Sequence, residues 1–116
     1  MSDLSCLVIE NLKLFGQLLD KNTRCLHYHS EIDIIAIKFK CCGYYFSCFK
    51  CHDLFRNYSI NHPVEKFSKL DYGKVVLCGN CYSELTFDDY SKSHRCTICN
   101  SQFNPKCSFH YDLYFD

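Results

Sequence analysis

The sequence predicts a small metal-stabilised domain, built mostly of loops, with short β-strands or hairpins and one or two short helices. Three observations predict it. Of 116 residues, 11 are cysteine and 6 are histidine, and an odd cysteine count leaves a thiol over from any complete disulfide set. Six of the cysteines form C-x-x-C pairs, Cys48/Cys51, Cys78/Cys81 and Cys96/Cys99. The apolar patterns are too short for a large sheet, so something other than a sheet core must hold the elements together.

In the N-terminal segment, residues 1–15, two patterns compete. Leu4, Val8, Leu12, Phe15 and Leu19 have helical spacing, while "LKLFG" alternates like a short strand ended by Gly16. A strand near 12–15 after a loosely ordered start is preferred. "EIDIIAIKFK", residues 31–40, is the clearest strand, with Ile32, Ile34 and Ala36 on one face and Asp33, Ile35 and Ile37 on the other. "KVVLC" reads as another. A helical turn is expected in "CHDLFRNY" from Cys51, and a second in "TFDDYSKS" with Thr86 as its N-cap. The only prolines, Pro63 and Pro105, lie in loops beside candidate ligands.

Thirteen basic and thirteen acidic residues give zero net charge, which argues against the basic face that nucleic acid requires. Lys38, Lys40 and Lys50 form a loose cluster, read as a solvated edge. The first residues have no basic stretch leading into an apolar one, as a secretory signal would, and no apolar run reaches membrane-spanning length. A soluble chain in a thiol-reducing compartment is expected, which favours metal over disulfides.

Two residues between paired cysteines let the backbone wrap so that both thiolates reach one ion. Cys78/Cys81, then fourteen residues, then Cys96/Cys99 is a zinc-ribbon-like arrangement of four cysteines. Upstream, between residues 25 and 62, Cys25, His27, Cys41, Cys42, Cys48, Cys51, His52 and His62 supply enough ligands for two more sites. Spacing leaves their partition open. The preferred one groups Cys25 and His27 with Cys48 and Cys51, and Cys41 and Cys42 with His52 and His62. The two sites then interleave. Cys41 and Cys42 can share an ion only if the strand breaks there, which Gly43 permits. His52 points away from Cys51, toward the neighbouring site. Twelve ligands imply three zinc ions in closed four-ligand sites, which leave no position for substrate, so no enzyme is expected. A thiol enzyme using Cys51 and His52 is disfavoured because adjacent residues are poorly placed as nucleophile and base.

Cys6 is read as a free thiol and His94 as solvent-exposed. His29, Cys107 and His110 are read as packing beside the metal core, with Cys107-x-x-His110 as a possible contributor to a rearranged or fourth site. Tyr44, Tyr45, Phe46 and Phe49 are read as a cover for that core, with an interaction surface as the alternative.

"TRCLHYH", "DIIAIKFKCCGYYFSCFKCH", "LCGNCYSELTFDDY" and "CTICNSQFNPKCSFHYDLYF", in that order, resemble the CHY-type zinc finger from about residue 16 onward. The resemblance is greatest to the short fungal helper-of-Tim branch of that family. It implies a CHY-type zinc finger over 16–116, with the four-cysteine site at 78–99 and a C-terminal tail at 100–116, and it places the family's ligands on the same twelve residues. It also implies a monomeric, zinc-binding accessory factor of the mitochondrial intermembrane space, whose partners are the disulfide-relay import oxidoreductase and the small Tim proteins. Thr97 stands where that family often has proline. The alternative is a cytosolic or nuclear CHY protein-interaction module linked to ubiquitin machinery.

Overall fold

The computed structural model describes residues 4–58, 63–70, 73–104 and 111–115. Among these, β1 (Ser5–Ile9), β2 (Leu12–Gly16), β3 (Ile35–Lys38), β4 (Tyr45–Phe46), β5 (Lys74–Cys78) and β6 (Glu84–Thr86) form one sheet in the order β1-β2-β4-β3-β5-β6. All neighbours are antiparallel except β2 and β4. Three helices complete the fold: α1 (Phe49–Tyr58), α2 (Phe87–Ser93) and α3 (Tyr111–Tyr114). No helix among the described residues is long and apolar enough to cross a membrane.

The six-stranded sheet corrects the expectation that strands this short cannot make a large sheet. Each strand is short, but their alternation is in phase, so together they separate two apolar layers. Leu14, Ala36, Tyr45 and Leu77 face one side, covered by Leu7, Ile9, Leu12, Leu18 and Tyr82. Ile35, Ile37, Phe46, Val76 and Cys78 face the other, where Phe39, Phe87, Tyr90, Phe103 and Phe115 pack on them. The second layer is aromatic: Phe46 meets Phe39 at 5.8 Å and Phe55 at 5.2 Å, and Phe87 meets Phe115 at 4.6 Å. Such edge-on pairs add about 0.5–1.5 kcal/mol each beyond area burial. Tyr44, Phe46 and Phe49 pack in the layer that holds the cysteines, as a cover for the metal core requires, whereas Tyr45, expected there too, is buried on the opposite face because neighbouring strand residues alternate sides.

The strand near 12–15 is β2, and "KVVLC" is β5. β1, which was expected to be loosely ordered, pairs along its whole length with β2. The strand expected over 31–40 shortens to β3, because Asp33 turns the chain before it: Ser30 N–H donates to Asp33 Oδ2, and Asp33 N–H to the Ser30 carbonyl. α1 starts two residues before the predicted turn. α2 is capped as predicted, Thr86 Oγ1 accepting from Asp89 N–H at 3.1 Å. Its C-terminus closes on His94, in the left-handed region at φ 52°.

Candidate metal centres

Two chain reversals build the first centre. After β2 the chain folds back, with Leu19 N–H bonded to the Arg24 carbonyl and Leu26 N–H to the Gln17 carbonyl. Asp20 stiffens this loop by accepting from Asn22 N–H and from Arg24 Nη1, both at 2.8 Å. The loop delivers Cys25 and His27 to the N-terminus of α1, where Cys48 and Cys51 wait. Cys25, Cys48 and Cys51 are all 0 % exposed. Cys48 Sγ lies 3.7 Å from Cys25 Sγ and 3.6 Å from Cys51 Sγ. His27 Nδ1 stands 3.3, 3.6 and 3.8 Å from the sulfurs of Cys48, Cys51 and Cys25.

The second centre uses the next residue of α1. One step along a helix turns a side chain by about 100°, so His52 leaves its neighbour's centre and faces the turn between β3 and β4. Its ring stacks on Phe39 with centroids 3.9 Å apart, which fixes Nε2 at 3.3 Å from Cys41 Sγ and 3.5 Å from Cys42 Sγ. The two sulfurs are 3.7 Å apart. Adjacent residues can do this because the strand has ended: the chain turns at 39–43, Gly43 N–H donates to the Phe39 carbonyl, and Gly43 sits at φ +74°.

The third centre is built from two copies of one device. "CGNCYS" and "CTICNS" share the pattern C-x-x-C-x-S, and both close the same way. Cys78 N–H donates to Ser83 O and Tyr82 N–H to Cys78 O. Cys96 N–H donates to Ser101 O and Asn100 N–H to Cys96 O. Tyr82 (φ 63°) and Asn100 (φ 64°) take the left-handed conformation at the same step. The knuckles face each other, with Cys78 Sγ 3.7 Å from Cys99 Sγ and Cys81 Sγ 3.6 Å from Cys96 Sγ. The first knuckle is pinned to the domain at Gly79, whose N–H donates to the Ile34 carbonyl at 2.6 Å. A β-carbon there would collide with the Asn22 carbonyl.

These distances test the donor sets. Zn–S and Zn–N bonds of about 2.3 and 2.0 Å place two sulfurs about 3.8 Å apart, and sulfur and nitrogen about 3.5 Å apart, around a tetrahedron. A disulfide would need about 2.05 Å. The separations match tetrahedron edges, and every described cysteine is a free thiol. Each of the three clusters can hold a zinc ion.

Protonation points the same way. Hydrogen bonds with Cys48 and Cys51 hold the Cys25 thiol far below its ordinary range, while the bond with Cys25 pushes Cys48 up. Burial and the neighbouring Cys41 push Cys42 up to about 12. Burial raises Cys78 and Cys96. Cys99 is raised by burial too, but Asn80 Nδ2 and Ser101 outweigh this and bring it down to about 6. Crowded thiols cannot all ionise beside one another unless a cation compensates them.

Of the twelve expected ligands, the structure brings eleven into three clusters with the preferred partition. His62 lies outside the described residues, as do Cys107 and His110. Cys6 is exposed and lies in none of the clusters; His29, expected to pack beside the metal core, is exposed instead and also lies in none of them. His94, expected to face solvent, is half-buried, with Nε2 3.1 Å from the Tyr111 hydroxyl. The outer partners of the sulfurs were missed: Gln17 N–H on Cys51, Asn80 N–H on Cys78, Ile98 and Cys99 N–H on Cys96, and the Ser83 and Ser101 hydroxyls 3.2 Å from Cys81 and Cys99. For the two serines the repeated C-x-x-C-x-S was the available signal.

Comparison with known proteins matches residues 25–109 to the CHY zinc finger. The chain is 42% identical over 108 residues to Helper of Tim protein 13 of Kluyveromyces lactis, covering 92% of this chain and 91% of that one. It is also 42% identical to Helper of Tim protein 13 of Saccharomyces cerevisiae over 107 residues, covering 88% and 89%. An uncharacterized protein of Schizosaccharomyces pombe is 38% identical over 104 residues, covering 89% and 88%. No solved structure matches.

Proposed function

The chain belongs to the CHY zinc-finger family, and on that premise we propose that it is a zinc-binding helper of Tim assembly in the mitochondrial intermembrane space. In this reading it supports import and assembly of the small Tim chaperones by keeping the disulfide-relay oxidoreductase free of zinc. The observation that carries the reading is the near full-length likeness to two chains named Helper of Tim protein 13. The chemistry is consistent with it. A metal ion on a redox-active cysteine pair ties up the thiolates that must attack or be reoxidised, so a protein that accepts the ion restores the pair.

Cys25, His27, Cys48 and Cys51 would hold one ion and Cys78, Cys81, Cys96 and Cys99 another. Cys41, Cys42 and His52, with His62, would hold the third. Bound zinc supplies charge compensation and cross-linking here. The chain's own groups do the rest: α1 presents donors to two centres, Phe39 orients His52, and the knuckle amides receive the sulfurs' negative charge. Sites closed by four ligands would leave no position for a reacting substrate, which supports a binding factor and not an enzyme.

The test mixes protein depleted of one equivalent of zinc with the zinc-loaded disulfide-relay import oxidoreductase and follows both by native mass spectrometry. Transfer of zinc to this chain, with recovery of oxidoreductase turnover, is expected. Zinc that stays on the oxidoreductase refutes the reading.

A further inference from the structure

The three centres are not equivalent, and we infer that the one formed by Cys41, Cys42 and His52 is the exchangeable site, where zinc passes to and from a dithiolate, while the other two hold the fold. The choice of a partner's redox-active cysteine pair as that dithiolate rests on the reading above. The ranking of the centres does not.

Three observations separate this centre. The first is access. In the Cys25 centre all three sulfurs are fully buried, and in the ribbon centre Cys78 and Cys96 are 0 % and 2 % exposed. Cys41 and Cys42 are both part-exposed, so two adjacent thiols meet solvent together at one turn. The part-exposed cysteines of the ribbon, Cys81 and Cys99, sit on different knuckles, each beside a buried partner of its own C-x-x-C pair.

The second is outer support. The ribbon sulfurs receive the Asn80, Ile98 and Cys99 amides and the Asn80 side chain, and Cys81 and Cys99 lie within hydrogen-bond reach of the Ser83 and Ser101 hydroxyls. The Cys25 centre receives the Gln17 and Cys51 amides and those of Tyr28 and His27. Among the described residues, the backbone donor recorded on the Cys41–Cys42 pair is Tyr44. Partners of this kind set ligand orientation and metal affinity, typically by about 10–100-fold.

The third is an entrance. A cleft of about 210 Å³ lies against His52, lined by Phe39, Phe49, Asp53, Val64 and Lys66. Its wall carries Lys66 and Asp53, and exposed Lys40 and Glu65 lie at the Cys41 turn, the Lys40 and Cys41 amides both donating to the Glu65 carbonyl, so the approach is charge-balanced and open to an anionic thiolate. A groove also passes Cys81, but its lining sets Glu10 and Glu84 against Lys74 alone, an acidic excess that disfavours an arriving thiolate.

The exchange balances without an oxidant or reductant. For each Zn–S bond broken on the partner pair, one forms to Cys41 or Cys42, and the thiol proton displaced from the acceptor is taken up by the released sulfur.

The test challenges fully zinc-loaded protein with EDTA, quenching portions with N-ethylmaleimide. Native mass spectrometry counts the zinc remaining, and peptide mapping identifies the modified thiols; exposed Cys6 serves as the immediate reference. The expected result is loss of one zinc at least about tenfold faster than the others, with Cys41 and Cys42 modified in step with it. Modification of Cys25, Cys48 and Cys51, or of the ribbon cysteines, with the first zinc would overturn the inference, as would simultaneous loss of all three. The Cys41→Ser/Cys42→Ser protein should hold two zincs and lack the fast phase; a surviving fast phase refutes the inference independently. If that protein does not fold, the labelling order in the unaltered chain still decides. Ordered release to EDTA without transfer from the oxidoreductase would sink the proposed function and leave this inference standing.

Discussion

The ribbon centre and the Cys25 centre collect similar donors by different means. In the ribbon each knuckle is complete within six residues: its turn, its left-handed step and its amide-to-sulfur bonds are local, and two copies need only meet face to face. In the Cys25 centre the loop after β2 must meet the start of α1 across 23 residues, and the sheet between them sets the distance. The same helical turn then supplies His52 to a second centre. Metal binding at 78–99 is therefore local and separable, while metal binding at 25–52 is tied to the tertiary fold.

The largest expected effect comes from removing metal altogether. Structural zinc sites are worth on the order of 10–16 kcal/mol each in apparent binding free energy, against a net domain stability of about 5–15 kcal/mol. Prolonged chelation should therefore abolish near-ultraviolet circular dichroism and cooperative unfolding. A chelated protein that keeps both would show that the aromatic layer alone holds the sheet.

A sharper contrast comes from single ligands. Cys96→Ser should lose one zinc and keep two, because the ribbon stands apart. Cys48→Ser should lose two, because loosening the start of α1 also displaces His52. Native mass spectrometry reads this directly, and equal losses from both variants would contradict the distinction.

Gly79→Ala probes the contact between ribbon and sheet. The added carbon meets the Asn22 carbonyl, so the knuckle or the loop must shift. A cost of about 1–3 kcal/mol is expected in chemical denaturation, with all zinc retained. A neutral substitution would mean that the ribbon is not pinned at this point.

The smallest effect lies on the other face of the sheet. Tyr45 donates to Glu84 Oε2 at 2.6 Å, and burial, followed by that hydrogen bond, raises its phenol above the usual 10. Tyr45→Phe should cost about 1 kcal/mol near neutral pH. A raised folded-state pKa means that the stability this group contributes is fully present below pH 10 and declines above it, since only the unfolded chain releases the proton there. The Tyr45→Phe protein should accordingly show a flatter stability profile above pH 10; parallel profiles would contradict the assignment.

What was legible in the sequence follows the same local-versus-tertiary division. The C-x-x-C spacings located the ribbon ligands because the geometry lies within each knuckle, and Thr86 announced its helix because capping is local. The partition of the N-terminal ligands was left open by spacing, and the preferred one rested on two local facts: His52 directly follows Cys51, and Gly43 breaks the strand after the Cys41–Cys42 pair. The sheet was not legible. β4 is two residues long and pairs in parallel with β2, an arrangement with no signature in either segment. β1 looked like a fragment of a helical pattern because its apolar residues are interrupted by the turn at Glu10 and Asn11. His94 looked exposed because its partner, Tyr111, lies 17 residues away.

The central claim is that thiolate-held metal, and not disulfide, organises this domain. Native mass spectrometry of protein purified without chelator or oxidant, followed by alkylation under denaturing conditions, tests it most directly. The account predicts three zincs per chain and alkylation of all 11 cysteines. A metal-free chain, lighter by two hydrogens for every pair of cysteines that resists alkylation, would contradict it.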